Sequence, residues 1–244
     1  MNLHIIKAEE MKLFFQGAIA CIPTLLSYWA VGFACGAIGK ISGFSLTEIA
    51  LLSMFLYAGS AQFLFYSLAK TGADITHIAC AVAFINMRYL LITAYMSQFF
   101  SHSSSTEKLI GGLMITDETF GVASSYAKKN KDELPFYWLF GLNLTAWVNW
   151  MLSTIVGCLF ASILPGWLNY SLGFSLVGMF AGLLLLSWFV SHTRILDIIV
   201  MAIAILVILT THNTINFNIA TILSTITAAT AGMLFLIWKP KRNA

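Results

Sequence analysis

Three charged side chains sit where a chain this apolar can least tolerate them. Arg88 stands near the middle of an apolar stretch from about Thr76 to Phe100, with Phe84 and Ile85 before it and Leu90, Leu91 and Ile92 after it. Asp117 and Glu118 are adjacent in "ITDETF", inside another apolar stretch. A charged group at mid-membrane costs about 2.5–3.5 kcal/mol on insertion scales, so such groups face a bundle interior or a wet cavity and find partners. A planar guanidinium suits a carboxylate, and Arg88 is therefore expected to pair with one of the two acids. Adjacent helical residues point about 100° apart, so only one of them is expected to reach it, and spacing does not say which. The pair either orients two helices or is opened by a substrate.

The uncharged polar groups at the same depth are Gln62, Asn86, Asn143 and Asn149. Gln62 belongs to "YAGSAQF", residues 57–63, where Gly59 and Ser60 weaken a helix and permit local unwinding that frees backbone N–H and C=O groups for a substrate. Ser53, Tyr57 and Ser60 share one helical face, and Gln62 joins them only if the helix breaks near Gly59. Asn86, Thr93 and Ser97 form a polar stripe from which Arg88 points away. In "NLTAWVNW", Asn143, Trp147 and Trp150 share a face, with Thr145 and Asn149 on another. Tryptophan prefers the membrane interface, so Trp147 and Trp150 deep in an apolar stretch read as a pocket wall or as aromatic packing. Pro23 is expected to kink the first apolar segment or to end its first turn, a hinge beside glycines.

The elements that must hold these residues follow from composition. Hydrophobic residues make up 59% of the 244 and charged ones 9%, against about 25% charged in a soluble domain. Apolar runs of about 20 residues, each long enough to cross a hydrocarbon core of about 30 Å as a helix, recur from end to end. The expected fold is an all-α polytopic membrane protein, one transmembrane domain over 1–244 with interrupted helices possible. Eight spans are expected at roughly 17–39, 46–69, 76–100, 109–127, 134–162, 172–191, 195–211 and 217–238, with seven if the fourth does not cross. Residues 1–15 are expected to form a short interfacial helix.

With eight spans and the N-terminus in the cytoplasm, Lys7, Lys12, Lys70, Lys128, Lys129, Lys131, Arg194, Lys239, Lys241 and Arg242 lie inside, against Lys40 and Lys108 outside. That obeys the positive-inside rule. The seven-span arrangement reverses the orientation and obeys it nearly as well. "GFACG" (Gly32, Gly36) and "GMFAG" (Gly178, Gly182) match the GxxxG spacing that lets helices approach closely. Cys21, Cys35, Cys80 and Cys158 all lie in apolar segments without a CxxC pair and read as small packing residues.

No HExxH or GxSG stretch is present for metal or serine chemistry, and no nucleotide-binding motif is present for direct ATP drive. The chain is expected to be no enzyme, to need no cofactor or metal, and to bind no nucleic acid. The functional reading is a secondary transporter of a small zwitterion, with a non-transporting membrane scaffold as the alternative. Arg88 and a helix break would serve the carboxylate, the acids the ammonium, and the tryptophans an apolar side chain.

The order of "P…Y…GFACG", "YAGSAQF", "NMRYL" and "TDETF", followed by a span bearing tryptophan and asparagine, resembles the AzlC-type permease family, the large subunit of branched-chain amino acid exporters. The similarity runs from about Pro23 to Trp150. It implies export of amino acids such as valine across a bacterial cytoplasmic membrane, together with a small AzlD-type membrane subunit. Family members often carry aspartate where Asn86 stands and histidine where Tyr89 stands, so this chain lacks two titratable groups.

Overall fold

The structure is a computed structural model, and it describes residues 2–100, 103–163, 181, 184–185, 188–189, 193–211, 213–215 and 217–238. The described residues form helices joined by short turns. They divide into two compact units, Met1–Val177 and Gly178–Ala244.

In the first unit, α1 (Asn2–Ala20) passes at Cys21 into α2 (Ile22–Ile41). Pro23 lies in the first turn of α2, where its missing N–H costs nothing, so it starts a helix instead of kinking one. Both helices run along α9 (Phe136–Phe160) in the same direction. Gly17 abuts Trp138 and Gly141 abuts Phe14, while further along Gly36 abuts Thr154 and Gly157 abuts Phe33. The "GFACG" glycines are thus helix contacts, as their spacing suggested.

The second expected span is two helices, α3 (Leu46–Phe55) and α4 (Gly59–Lys70), and it does not cross. Phe44 contacts Tyr66 with ring centroids 5.0 Å apart, so the chain returns to the end from which it left. Gly39 faces Ile49 and Tyr66 together, and Gln62 bonds Ser53, pairings that require antiparallel arms. The arms of 10 and 12 residues rise about 15–18 Å at 1.5 Å per residue, half of a hydrocarbon core of about 30 Å. The tip is Leu56–Ala58, where Tyr57 takes a φ of 40°, a conformation that L-residues adopt at a cost.

The third span crosses as α5 (Ile75–Asn86) and α6 (Arg88–Met96), meeting at Met87. Ile75, Ile78 and Val82 share a groove with Glu48, Leu51 and Phe55, so α5 starts at the end where α3 starts. Phe84, Leu90 and Leu91 are exposed on this segment, as lipid-facing residues should be.

The fourth expected span is also a hairpin, α7 (Ser105–Leu113) and α8 (Asp117–Lys129). The Leu134 N–H donates to the Phe99 carbonyl at 3.2 Å, so the chain that leaves after Phe99 is back at the same end by Leu134. Near that end Tyr126 of α8 stacks on Trp138 at 3.8 Å. The hairpins therefore enter from opposite ends, and the first five expected crossings become three crossing segments and two half-depth hairpins. Hydropathy counts apolar length, which two half-length arms supply as well as one span does.

This topology moves two charges relative to the eight-span reading. Lys108 joins Lys7, Lys12, Lys128, Lys129 and Lys131 at one end, and Lys70 joins Lys40 at the other. The bias survives the exchange, and the lysine-rich end remains the cytoplasmic candidate. In the second unit α10 (Arg194–Thr211) and α11 (Phe217–Trp238) pack antiparallel, with Ser224 Oγ donating to the Ala204 carbonyl at 2.8 Å. The "GMFAG" glycines and most of the sixth expected span lie outside the described residues.

Candidate functional site

The two hairpin tips meet at Arg88, midway along the third crossing. Its Nη2 lies 2.9 Å from Asp117 Oδ2 in the first turn of α8 and donates to Ser60 Oγ in the first turn of α4 at 2.7 Å. It also donates to Tyr89 OH at 3.3 Å. One guanidinium thus joins the crossing segment to both hairpins. Of the two acids, Asp117 is the one that reaches it, and Glu118 turns toward Tyr28 and Thr116. The Arg88 and Asp117 side chains keep 24% and 21% of their surface accessible, enough for a small ligand to touch them.

The start of α4, where Ser60 lies, has no side-chain cap, as is also true of α9 after Pro135. α3, α7 and α8 begin with capping boxes at Ser45, Ser104 and Thr116, and α5 with the Asp74 carboxylate. α4 begins after Ala58, which has no side chain to cap it. The N–H groups of Gly59, Ser60 and Ala61 have no hydrogen-bond partner among the described residues, and a helix start favours negative charge.

Behind this face, α9 holds the first hairpin in shape. Trp147 Nε1 donates to the Met54 carbonyl at 3.0 Å, satisfying one of the acceptors that the end of α3 leaves open. Trp150 Nε1 donates to Gln62 Oε1 at 3.2 Å. The Gln62 amide donates in turn to Ser53 Oγ and Tyr66 OH, each at 2.8 Å, and Ser53 Oγ bonds Thr154 Oγ1 at 2.8 Å. Gln62 therefore sits in a buried network that ties both arms to α9. The tryptophans secure the tip, a use the residue pattern did not separate from a pocket wall.

The structure does not gather every candidate at Arg88. Asn143 is buried and donates to the Gly111 carbonyl at 3.3 Å, linking α9 to α7. Asn86 Oδ1 and Asn149 Nδ2 are buried without a hydrogen-bond partner among the described residues. Pro23 lies at the start of α2. Sequence reasoning missed Tyr28 and Thr116, whose hydroxyls bond each other across α2 and the second tip. Thr116 carried a usable signal, because a threonine followed by two acids marks a helix start and so a break inside the fourth span.

Gly59 is the first residue of α4 and not the turning residue itself. A Cβ placed on it would lie 3.0 Å from Trp150 Cη2, so its role is space. Gly59→Leu is expected to abolish transport while leaving membrane insertion intact, measured as uptake into proteoliposomes against the amount of protein incorporated. Unimpaired transport by that variant would return the tip to ordinary packing.

Comparison with known proteins adds what geometry does not. The family described as "AzlC protein" matches residues 23–164, more than half of the chain. The chain belongs to the AzlC family. The match runs from the start of α2 past the end of α9 and so takes in both hairpins and Arg88. The inner membrane protein YgaZ of Escherichia coli is 27% identical over 185 residues, covering 74% of this chain and 76% of that protein. An uncharacterized membrane protein of Archaeoglobus fulgidus is 27% identical over 192 residues, covering 76% and 81%. One from Helicobacter pylori is 27% identical over 157 residues, covering 63% and 67%. No solved structure matches. Membership of this family, with several helices long and apolar enough to span a bilayer, fits a multi-pass membrane transporter.

Proposed function

We propose that this chain is the large subunit of a secondary exporter of branched-chain amino acids such as valine, working in a bacterial cytoplasmic membrane with a small AzlD-type partner. The observation that carries the reading is the meeting of two opposed half-depth hairpins across Arg88. Carriers place their sites near the bilayer midplane where interrupted helices present unpaired backbone groups, and the start of α4 beside Arg88 has that form. The substrate carboxylate competes with Asp117 for the guanidinium and approaches the N–H groups of Gly59, Ser60 and Ala61. The freed Asp117, with Glu118 beside it, faces the ammonium. The chain acts as a carrier and performs no covalent chemistry. The substrate and the small partner rest on family likeness, which the polar set accommodates.

Cells carrying the chain with its partner are expected to hold less internal valine than cells lacking them when fed valine-containing dipeptides. Counterflow of labelled valine in proteoliposomes, with and without the partner, assigns the activity to one chain or two. Equal valine retention with and without expression of the complex would count against branched-chain export, and full counterflow by the single chain would remove the partner.

A further inference from the structure

The two hairpins are anchored differently, and the difference assigns them different tasks. The α3–α4 hairpin buries large, keyed side chains, among them Ile49, Phe63 and Tyr66. Both of its arms also reach α9 through hydrogen bonds, by Trp147 to Met54, Thr154 to Ser53 and Trp150 to Gln62. Along its arms the α7–α8 hairpin buries small residues, Gly111 on one and Thr119, Ala123 and Ala127 on the other, with Ile115 buried at its tip and Phe120, Val122 and Tyr126 half-buried on α8. Its base is held by the Tyr126–Trp138 stack, and nearer the tip Phe120, in the first turn of α8, meets Tyr95 edge-on. Between base and tip, the hydrogen bond that reaches the hairpin from outside among the described residues is the 3.3 Å one from Asn143 to the Gly111 carbonyl. The tip itself is held by Asp117 on Arg88 and by Thr116 on Tyr28.

An element fixed at its base, sparsely hydrogen-bonded along its arms and pinned at its tip is a lever with two catches. The Arg88 catch belongs to the site already described. Tyr28 does not, and its surroundings make it a reference point. It is buried on α2, and its ring meets Trp150 edge-on with centroids 6.2 Å apart. Its hydroxyl therefore refers the second tip to the tryptophan that fixes the first. We infer that Tyr28 is a positioning residue that holds the α7–α8 hairpin closed through Thr116, and that this hairpin, and not α3–α4, swings to open the site toward the lysine-rich end.

The inference rests on the transport reading but is tested without transport. In protein whose four cysteines are replaced by alanine, Ile115→Cys places a thiol in the second tip and Ala58→Cys one in the first, both at buried positions. Inside-out vesicles are treated with a membrane-impermeant maleimide and the labelling rates measured. Tyr28→Phe is expected to speed labelling at position 115 by about 3- to 10-fold, the population shift given by loss of one hydrogen bond. It is expected to speed labelling at position 58 less, although Tyr28 also faces Tyr57 there, because the first tip keeps its bonds to α9. Thr116→Ser keeps the hydroxyl and is expected to label as slowly as the parent. Should the Tyr28→Phe protein not accumulate, Thr116→Val removes the same bond together with the α8 cap, and it is read against Thr119→Val, which breaks the capping box alone and is expected to label more slowly. An unchanged rate at position 115, or equal acceleration at both tips, would overturn the inference. Faster labelling at 115 without any response to added valine would support the catch and count against valine as the substrate.

Discussion

Arg88→Ala is expected to reduce the yield of folded protein sharply and to abolish transport, and adding Asp117→Ala is expected to restore the yield alone. Asp117 lies 2.9 Å from the guanidinium, and removing one member of a buried pair strands the other, at about 3–5 kcal/mol. The pair retains some accessible surface, which places the cost toward the lower end. Removing both members leaves no stranded charge, so the helices can pack again. Transport stays lost because the group that would take a carboxylate is gone. Arg88→Ala with Glu118→Ala is the control and is expected to recover nothing, since Glu118 turns toward Tyr28 and Thr116. Arg88→Lys is expected to keep some yield but little transport, because an ammonium is a strongly hydrated point charge without the planar donor set that receives a carboxylate bidentately. Size-exclusion profiles in detergent and proteoliposome counterflow read the two quantities separately. Recovery of both yield and transport in the Arg88→Ala, Asp117→Ala protein would make the pair purely structural.

How far such a site is legible in sequence depends on what each signal encodes. The cost of an unpaired charge in lipid is a property of residue type, so Arg88 and the two acids stand out from composition alone. Which acid pairs depends on where α8 starts. Thr116 caps that helix and places Asp117 at its first position, a detail written in "TDET" but masked by the apolar run around it. The reversal inside the fourth expected span was legible at Thr116, whereas the one inside the second was not, because direction reversal inside an apolar segment need change no residue type. The reversal at Tyr57 carries no glycine at the turning position, so the usual marker of a positive φ is absent, and Gly59 two residues later points to the right place for a different reason. Gln62 and the tryptophans looked like ligands because a polar group in lipid must be bonded to something. Composition cannot tell a partner on α9 from a substrate.

Gly36→Ala is expected to destabilise the protein more than any other single-methyl addition on α2, and Gly36→Leu is expected to yield no folded protein. A Cβ on Gly36 would collide with the Thr154 carbonyl oxygen and lie 2.6 Å from its carbon and 2.9 Å from the Cys158 nitrogen. These are backbone atoms, which cannot rotate away as a side chain end can. The contact is reciprocal, since Gly157 meets the Phe33 carbonyl in the same way, so relief requires the two helix axes to separate. Overpacking a close-packed interior costs about 1–3 kcal/mol and sometimes more, and here separation would also loosen Ser53 from Thr154 and Gln62 from Trp150, which hold the first hairpin. Gly121→Ala, on an exposed stretch of α8 with nothing within 4 Å, is the matched control and is expected to melt no lower than the parent. A thiol-reactive dye reports the melt directly, because Cys35 and Cys158 are buried at this interface and Cys80, being exposed, supplies a constant background. Gly36→Ala melting with the parent would mean that α2 and α9 can part at little cost, and the rigid frame assigned to the first hairpin would lose its foundation.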